Sequence, residues 1–153
     1  MANEEAYTVL VVDDNPQLLK VFAEGLPLVG AFTVITAANG IEGLERYYEI
    51  HPHCVVIDVK MPELDGYQLT RALRGDPESA ITPLIILTAM GQAWDRFEGL
   101  VAGVDRYLVK PVRPSELAAA IREACALSET ERLQALQALL DAPLPKQEGE
   151  VHQ

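Results

Sequence analysis

Residues 7–15 read YTVLVVDDN, and the first six of them are β-branched, aromatic or aliphatic. A half-buried strand alternates polar with apolar; a run without alternation is covered on both faces, as in a parallel sheet flanked by helices. The run stops on Asp13-Asp14-Asn15-Pro16. Asn15 suits a helix cap and Pro16 the first helical position. Leu18, Leu19, Phe22 and Leu26 then recur at helical spacing, and Pro27 and Gly30 close the segment.

The same unit recurs along the chain. Residues 32–36 (FTVIT) form a second expected strand, and Asn39-Gly40 opens a helix to about Ile50 with Ile41, Leu44 and Tyr48 on one face. Residues 54–57 are a third apolar run, ending on Asp58. The loop KMPELDG follows, then a helix over about 67–73. Residues 83–87 (PLIIL) run into Thr88, 94–102 carry a helical pattern, and 106–109 (RYLV) end on Lys110-Pro111. Pro114-Ser115-Glu116 starts a fifth helix with Leu117, Ile121 and Cys125 inward. Five strand–helix alternations predict an α/β protein: a five-stranded parallel sheet, doubly wound, with helices on both faces.

In such a sheet, ligands bind beyond the carboxyl ends of the strands. The polar residues that interrupt the apolar runs all fall there: Asp13 and Asp14, Asp58, Thr88 and Lys110. The second strand delivers only Thr36-Ala37-Ala38, as an edge strand remote from a site would. Two carboxylates about 4 Å apart repel by roughly 4 kcal/mol at an effective dielectric of about 20, so three together call for a cation. Oxygen ligands select Mg²⁺, or Mn²⁺ in its place. An ammonium and a hydroxyl beside that cation suit a phosphoryl group in transfer, with one carboxylate as nucleophile. Taken singly, each residue has a plainer reading. Asp13 or Asp14 could serve a helix dipole, Asp58 a turn, Thr88 a strand, and Lys110 a solvated loop. The joint placement on four strand ends is what points to chemistry.

Composition narrows the partners. The net charge of −11 over 153 residues argues against direct nucleic-acid binding, which relies on Lys and Arg. No apolar run approaches the roughly 18 residues of a membrane span, and the acidic N-terminus has no secretory pattern, so a cytoplasmic chain is expected. Cys54 and Cys125 lack metal-site spacing and read as buried, reduced core residues, and the three histidines do not cluster.

The motifs VVDDN at 11–15, NGIEGL at 39–44, IDVKMPELDG at 57–66, LTA at 87–89 and GVDRYLVKP at 103–111 stand in the order and spacing of one family. Over residues 7–127 the chain resembles the receiver domain of bacterial two-component response regulators. The resemblance implies a flavodoxin-like (βα)5 fold in three layers. Asp58 would be the phosphoacceptor, in a Mg-dependent reaction with a partner histidine kinase or histidine phosphotransfer protein. Asp13, Asp14, Asp58 and the backbone carbonyl of Lys60 would hold the metal. Thr88 would be the switch hydroxyl, Lys110 the phosphoryl-pairing lysine, and Pro111 a cis-proline. Tyr107 would be the switch aromatic, its plainer reading being a half-exposed strand residue. Such a domain is regulatory, catalysing only its own phosphorylation and dephosphorylation, and signals to a downstream protein partner. The alternatives are a degenerate receiver that binds partners without phosphorylation, and a phosphatase of the haloacid dehalogenase type. The latter wants an acid two residues after the nucleophile, where Lys60 stands. Val112, Lys60 and Met90 depart from common family choices.

After the receiver, expected over 1–127, Ser128-Glu129-Thr130-Glu131 has capping-box form and Leu133, Leu136 and Leu140 follow at helical spacing. Residues 128–142 are read as a helical extension. It either packs on its own domain, forms a homodimer or partner helix, or leads into a linker. Residues 143–153 are a polar tail expected to be disordered.

Overall fold

The computed structural model describes residues 6–61, 63–89 and 103–127, together with Thr130, Glu131, Gln134, Gln137 and Asp141, which are helical. Its elements are β1 (Tyr7–Val12), α1 (Pro16–Val29), β2 (Phe32–Ala37), α2 (Gly40–Ile50), β3 (Cys54–Asp58), α3 (Gly66–Arg74), β4 (Leu84–Thr88), β5 (Arg106–Val109) and α4 (Pro114–Ala126). The helix expected over 94–102 and the tail over 143–153 lie outside the described residues, as do Pro62 and Met90.

The five strands run parallel in the order β2-β1-β3-β4-β5. From β1 the chain steps outward to β2 and then back across to β3, so the strand order reverses between β1 and β3. Their register pairs Val12 with Ile57, which brings the next residues, Asp13 and Asp58, side by side at the carboxyl edge. β2 is an edge strand, as its uncharged end implies.

Successive strand residues face opposite layers. Leu10, Val12, Val55, Ile57, Leu84 and Ile86 pack with Tyr47, Leu69 and Leu73 of α2 and α3. Val9, Val11, Val56, Ile85 and Leu87 pack with Phe22, Leu26, Leu117 and Ile121 of α1 and α4. Each such side chain contributes about 1.5–3 kcal/mol by leaving water.

Several local expectations need correction. α1 continues past Pro27 to Val29, because a proline in the last turn forfeits only one hydrogen bond. α2 does not bury Ile41, which is half exposed; it turns Gly43 and Tyr47 toward the sheet and Gly40 against Leu64 in the loop after β3, with Leu44 and Tyr48 flanking. Gly43 lets the helix axis approach, since a Cβ there would stand 2.9 Å from the Val12 side chain. α3 begins at Gly66, one residue early, because Asp65 caps it in a reciprocal box with Gln68. Cys54 is buried, but Cys125 is only half-buried, and the α4 core positions fall to Leu117, Ala118, Ala120, Ile121 and Ala124.

Candidate functional site

Asp13 leaves the end of β1 fully buried, and the turn into α1 aims it. The Asn15 side chain accepts from the amides of Gln17 and Leu18, which fixes the helix start. The Asn15 amide itself donates to Asp13 Oδ1 at 2.8 Å. One carboxylate oxygen is thereby held by the backbone, and the other faces Lys110. The Lys110 Nζ donates to Asp13 Oδ2 at 3.0 Å and lies 3.3 Å from Asp58 Oδ1. Lys110 arrives from β5, on the far side of β4. Its amide donates to the Thr88 carbonyl at 2.7 Å, and the Lys110–Pro111 peptide is cis. Asp14 is exposed, and oxygens of Asp13, Asp14 and Asp58 all lie within 4.8 Å of one another.

The charges act on one another. Burial, and then the Asp13 charge, push the Asp58 carboxyl above the ordinary range, against the opposing pull of Lys110. For Lys110, burial works to lower its basicity, but the bond to Asp13 and the charges of Asp58 and Asp13 outweigh it and hold the ammonium above its usual value. The lysine is therefore a cation at any physiological pH.

The raised Asp58 value has a consequence for stability. A carboxyl that binds its proton more tightly when folded favours folding most below the ordinary carboxylate range. That contribution is lost as pH rises through the raised value. In metal-free protein at pH 7, Asp58→Asn should therefore raise the Tm by several degrees. The gain should be nearly gone near pH 3, where the wild-type carboxyl is mostly protonated in both states. Calorimetry in EDTA at the two pH values checks this, and an asparagine variant less stable at pH 7 would contradict it.

Of the other residues singled out in the sequence, Thr88 is buried at the end of β4. Tyr107 is half-buried and packs against the core on the α2–α3 side. Lys60 is exposed just after β3. The Asp65–Gln68 cap and the contact of Gly66 with the end of β3 escaped the sequence reading, although Asp65-Gly66-x-Gln68 carried the cap signal.

A family profile described as the response regulator receiver domain matches residues 9–122. The chain is 42% identical over 114 residues to a probable transcriptional regulator ycf27 of Guillardia theta, covering 74% of this chain and 43% of that protein. It is 32% identical to the DNA-binding dual master transcriptional regulator RpaA of Synechocystis sp., covering 82% of this chain and 51% of that protein. The chemotaxis protein CheY4 of Vibrio cholerae superposes with a TM-score of 0.73 at 28% identity, covering 78% of this chain and 99% of that one. A putative response regulator of Chloroflexus aurantiacus superposes with the same TM-score at 32% identity, covering 80% and 100%. The chain belongs to the response regulator receiver family: it is a regulatory domain of two-component signalling, with the acidic pocket Asp13, Asp14, Asp58 at the carboxyl edge of a CheY-like sheet.

These relatives correct one expectation. Direct nucleic-acid binding was excluded on net charge, yet transcriptional regulators, one of them DNA-binding by name, are what the chain matches. The chain spans about half the length of the curated relatives it matches. The charge of a receiver region speaks for that region and not for the rest of a longer protein, so the exclusion does not hold. The readings of a downstream protein partner, taken from the family resemblance, and of a homodimer, taken from the leucine spacing of residues 128–142, are not borne out by these relatives either. Among the described residues, no helix is long and apolar enough to cross a membrane.

Proposed function

We propose that this receiver acts in the cytoplasm and accepts a phosphoryl group from a histidine kinase on Asp58. The observation that carries this reading is the Lys110 ammonium held between Asp13 and Asp58, beside Asp14. Its oxygen donors fit a hard divalent cation: Asp13, Asp14, Asp58 and the Lys60 carbonyl would hold Mg²⁺ or Mn²⁺. Such an ion, when bound, offsets the carboxylate repulsion and the charge of the incoming group.

The Asp58 oxygen attacks phosphorus, forming an acyl phosphate as the bond to the donor imidazole nitrogen breaks and that nitrogen takes a proton. Lys110 pairs with a phosphoryl oxygen, and the Thr88 hydroxyl donates to another. Hydrolysis later returns Asp58 to a carboxylate. Switching requires that the phosphorylated site bind Thr88 and Lys110 better in one arrangement than in the other, with Tyr107 following Thr88 inward. Residues 1–127 make up this unit, and 128–153 follow it.

Incubation with acetyl phosphate and Mg²⁺ should add one phosphoryl mass to the wild type and none to Asp58→Asn. A wild type that gains no mass refutes the reading.

A further inference from the structure

Gly66 opens α3 where that helix meets the strand carrying Asp58. Its amide donates to the Val59 carbonyl at 2.9 Å. Its own carbonyl accepts the hydroxyl of Thr70, which is fully buried, at 2.7 Å. A Cβ at position 66 would stand 2.3 Å from the Asp58 carbonyl oxygen and 2.9 Å from the Val59 Cα. Both are backbone atoms next to a strand buried along its whole length, so neither can swing aside as a side-chain tip can. Gly30, by comparison, has side-chain atoms of Arg122 and Phe32 as its nearest neighbours. The first turn of α3 thus rests directly on the Asp58–Val59 peptide, with hydrogen as the only atom that fits between.

We infer that Gly66 is a positioning residue for phosphoryl transfer: its bare Cα seats α3 against the Asp58–Val59 peptide and so sets where the Asp58 carboxylate stands relative to Asp13 and Lys110. The inference rests on Asp58 being the phosphoacceptor. A methyl group at position 66 would drive the Asp58 carbonyl back by about 1 Å to reach ordinary contact in a close-packed interior. The carboxylate branches from the same residue and moves with it. A misplacement of about 1 Å in a reacting group costs on the order of a hundredfold in rate.

The test compares Gly66→Ala with Leu73→Ala, which truncates a buried side chain at the opposite end of the same helix. Both should lower the Tm. At saturating acetyl phosphate and Mg²⁺, Gly66→Ala should lower the limiting phosphorylation rate per folded molecule on the order of a hundredfold, while Leu73→Ala leaves it at the wild-type value. Mn²⁺ affinity, read by water proton relaxation without any phosphodonor, should weaken in the first variant and hold in the second. Thr70→Val keeps shape but removes the hydroxyl that ties down the Gly66 carbonyl, and should lower the limiting rate several-fold. If Gly66→Ala does not fold, Thr70→Val decides, and a wild-type rate and Mn²⁺ affinity in it overturn the inference. A wild type that takes no phosphoryl group overturns the proposed function and this inference together. A wild type that is labelled, with Gly66→Ala labelled equally fast, overturns this inference alone.

Discussion

Replacing Arg74 with alanine should lower the unfolding free energy by about 3–5 kcal/mol and bring the urea midpoint down by at least about 1 M. An exposed ion pair would not do this; most contribute about 0–1 kcal/mol. Arg74 differs in what it holds. Its Nε donates to the Gly103 carbonyl at 2.8 Å, and Nη1 donates to the carbonyls of Ala80 at 3.1 Å and Thr82 at 2.6 Å. Nη2 reaches Asp105 Oδ2 at 3.1 Å, and that oxygen also accepts the Leu84 amide at 2.8 Å. The Asp105 side chain is only 6% exposed. Without Arg74, a buried carboxylate loses its guanidinium and three carbonyls lose a donor, and an uncompensated buried charge is the costly case. Asp105→Asn should cost less, because an amide oxygen can still accept from Leu84. The position matters for function as well. The cluster ties the end of α3 to the starts of β4 and β5, whose other ends carry Thr88 and Lys110. An unchanged urea midpoint in Arg74→Ala would contradict this account.

No part of that cluster was legible in the sequence. Arg74 and Asp105 are 31 positions apart, and each reads alone as a solvated charge. The inner strands β1, β3 and β4 were legible because burial on both faces leaves an unbroken apolar run, as in residues 54–57, and because each of these three runs stops on a polar residue at the carboxyl edge. The convergence of Asp13, Asp58 and Lys110 followed from topology: a parallel sheet puts all its carboxyl ends on one edge. Faces of helices were harder. In α2 the sequence offers Ile41 as the obvious inward residue, but the sheet takes Gly43 and the loop after β3 takes Gly40 at Leu64, because there close approach outweighs side-chain hydrophobicity. Helix starts were legible where a cap stood beside proline, as at Asn15. At Asp65 the cap hid inside a loop motif. Net charge misled for a different reason, since it averages over one region and carries no information about the rest of a longer protein.

Lys110→Ala should separate metal binding from phosphoryl transfer, slowing phosphorylation by acetyl phosphate by about 10²–10³-fold while strengthening divalent-cation binding. The ammonium lies 3.0 Å from Asp13 and 3.3 Å from Asp58, so it neutralises part of the negative cluster. Its folded-state basicity is raised. The stabilisation it gives is therefore fully present below the unfolded lysine value, near 10.4, and is lost only as pH rises through the higher folded one. At pH 7 the variant forfeits all of it, and metal-free Lys110→Ala should melt earlier than wild type. Removing the ammonium also removes a cation that repels a divalent ion, so Mn²⁺ should bind more tightly and recover more stability in the variant than in the wild type. Transfer should nonetheless slow, because the negative charge that develops on the phosphoryl oxygens has lost a preorganised donor, and water, which must reorient to replace it, is a poorer one. Tighter metal binding with slower transfer is the expected pair. If binding and transfer instead fall together, Lys110 acts by holding the carboxylates in place rather than by stabilising the transferred group. If neither changes, the salt bridges to Asp13 and Asp58 have no part in the chemistry.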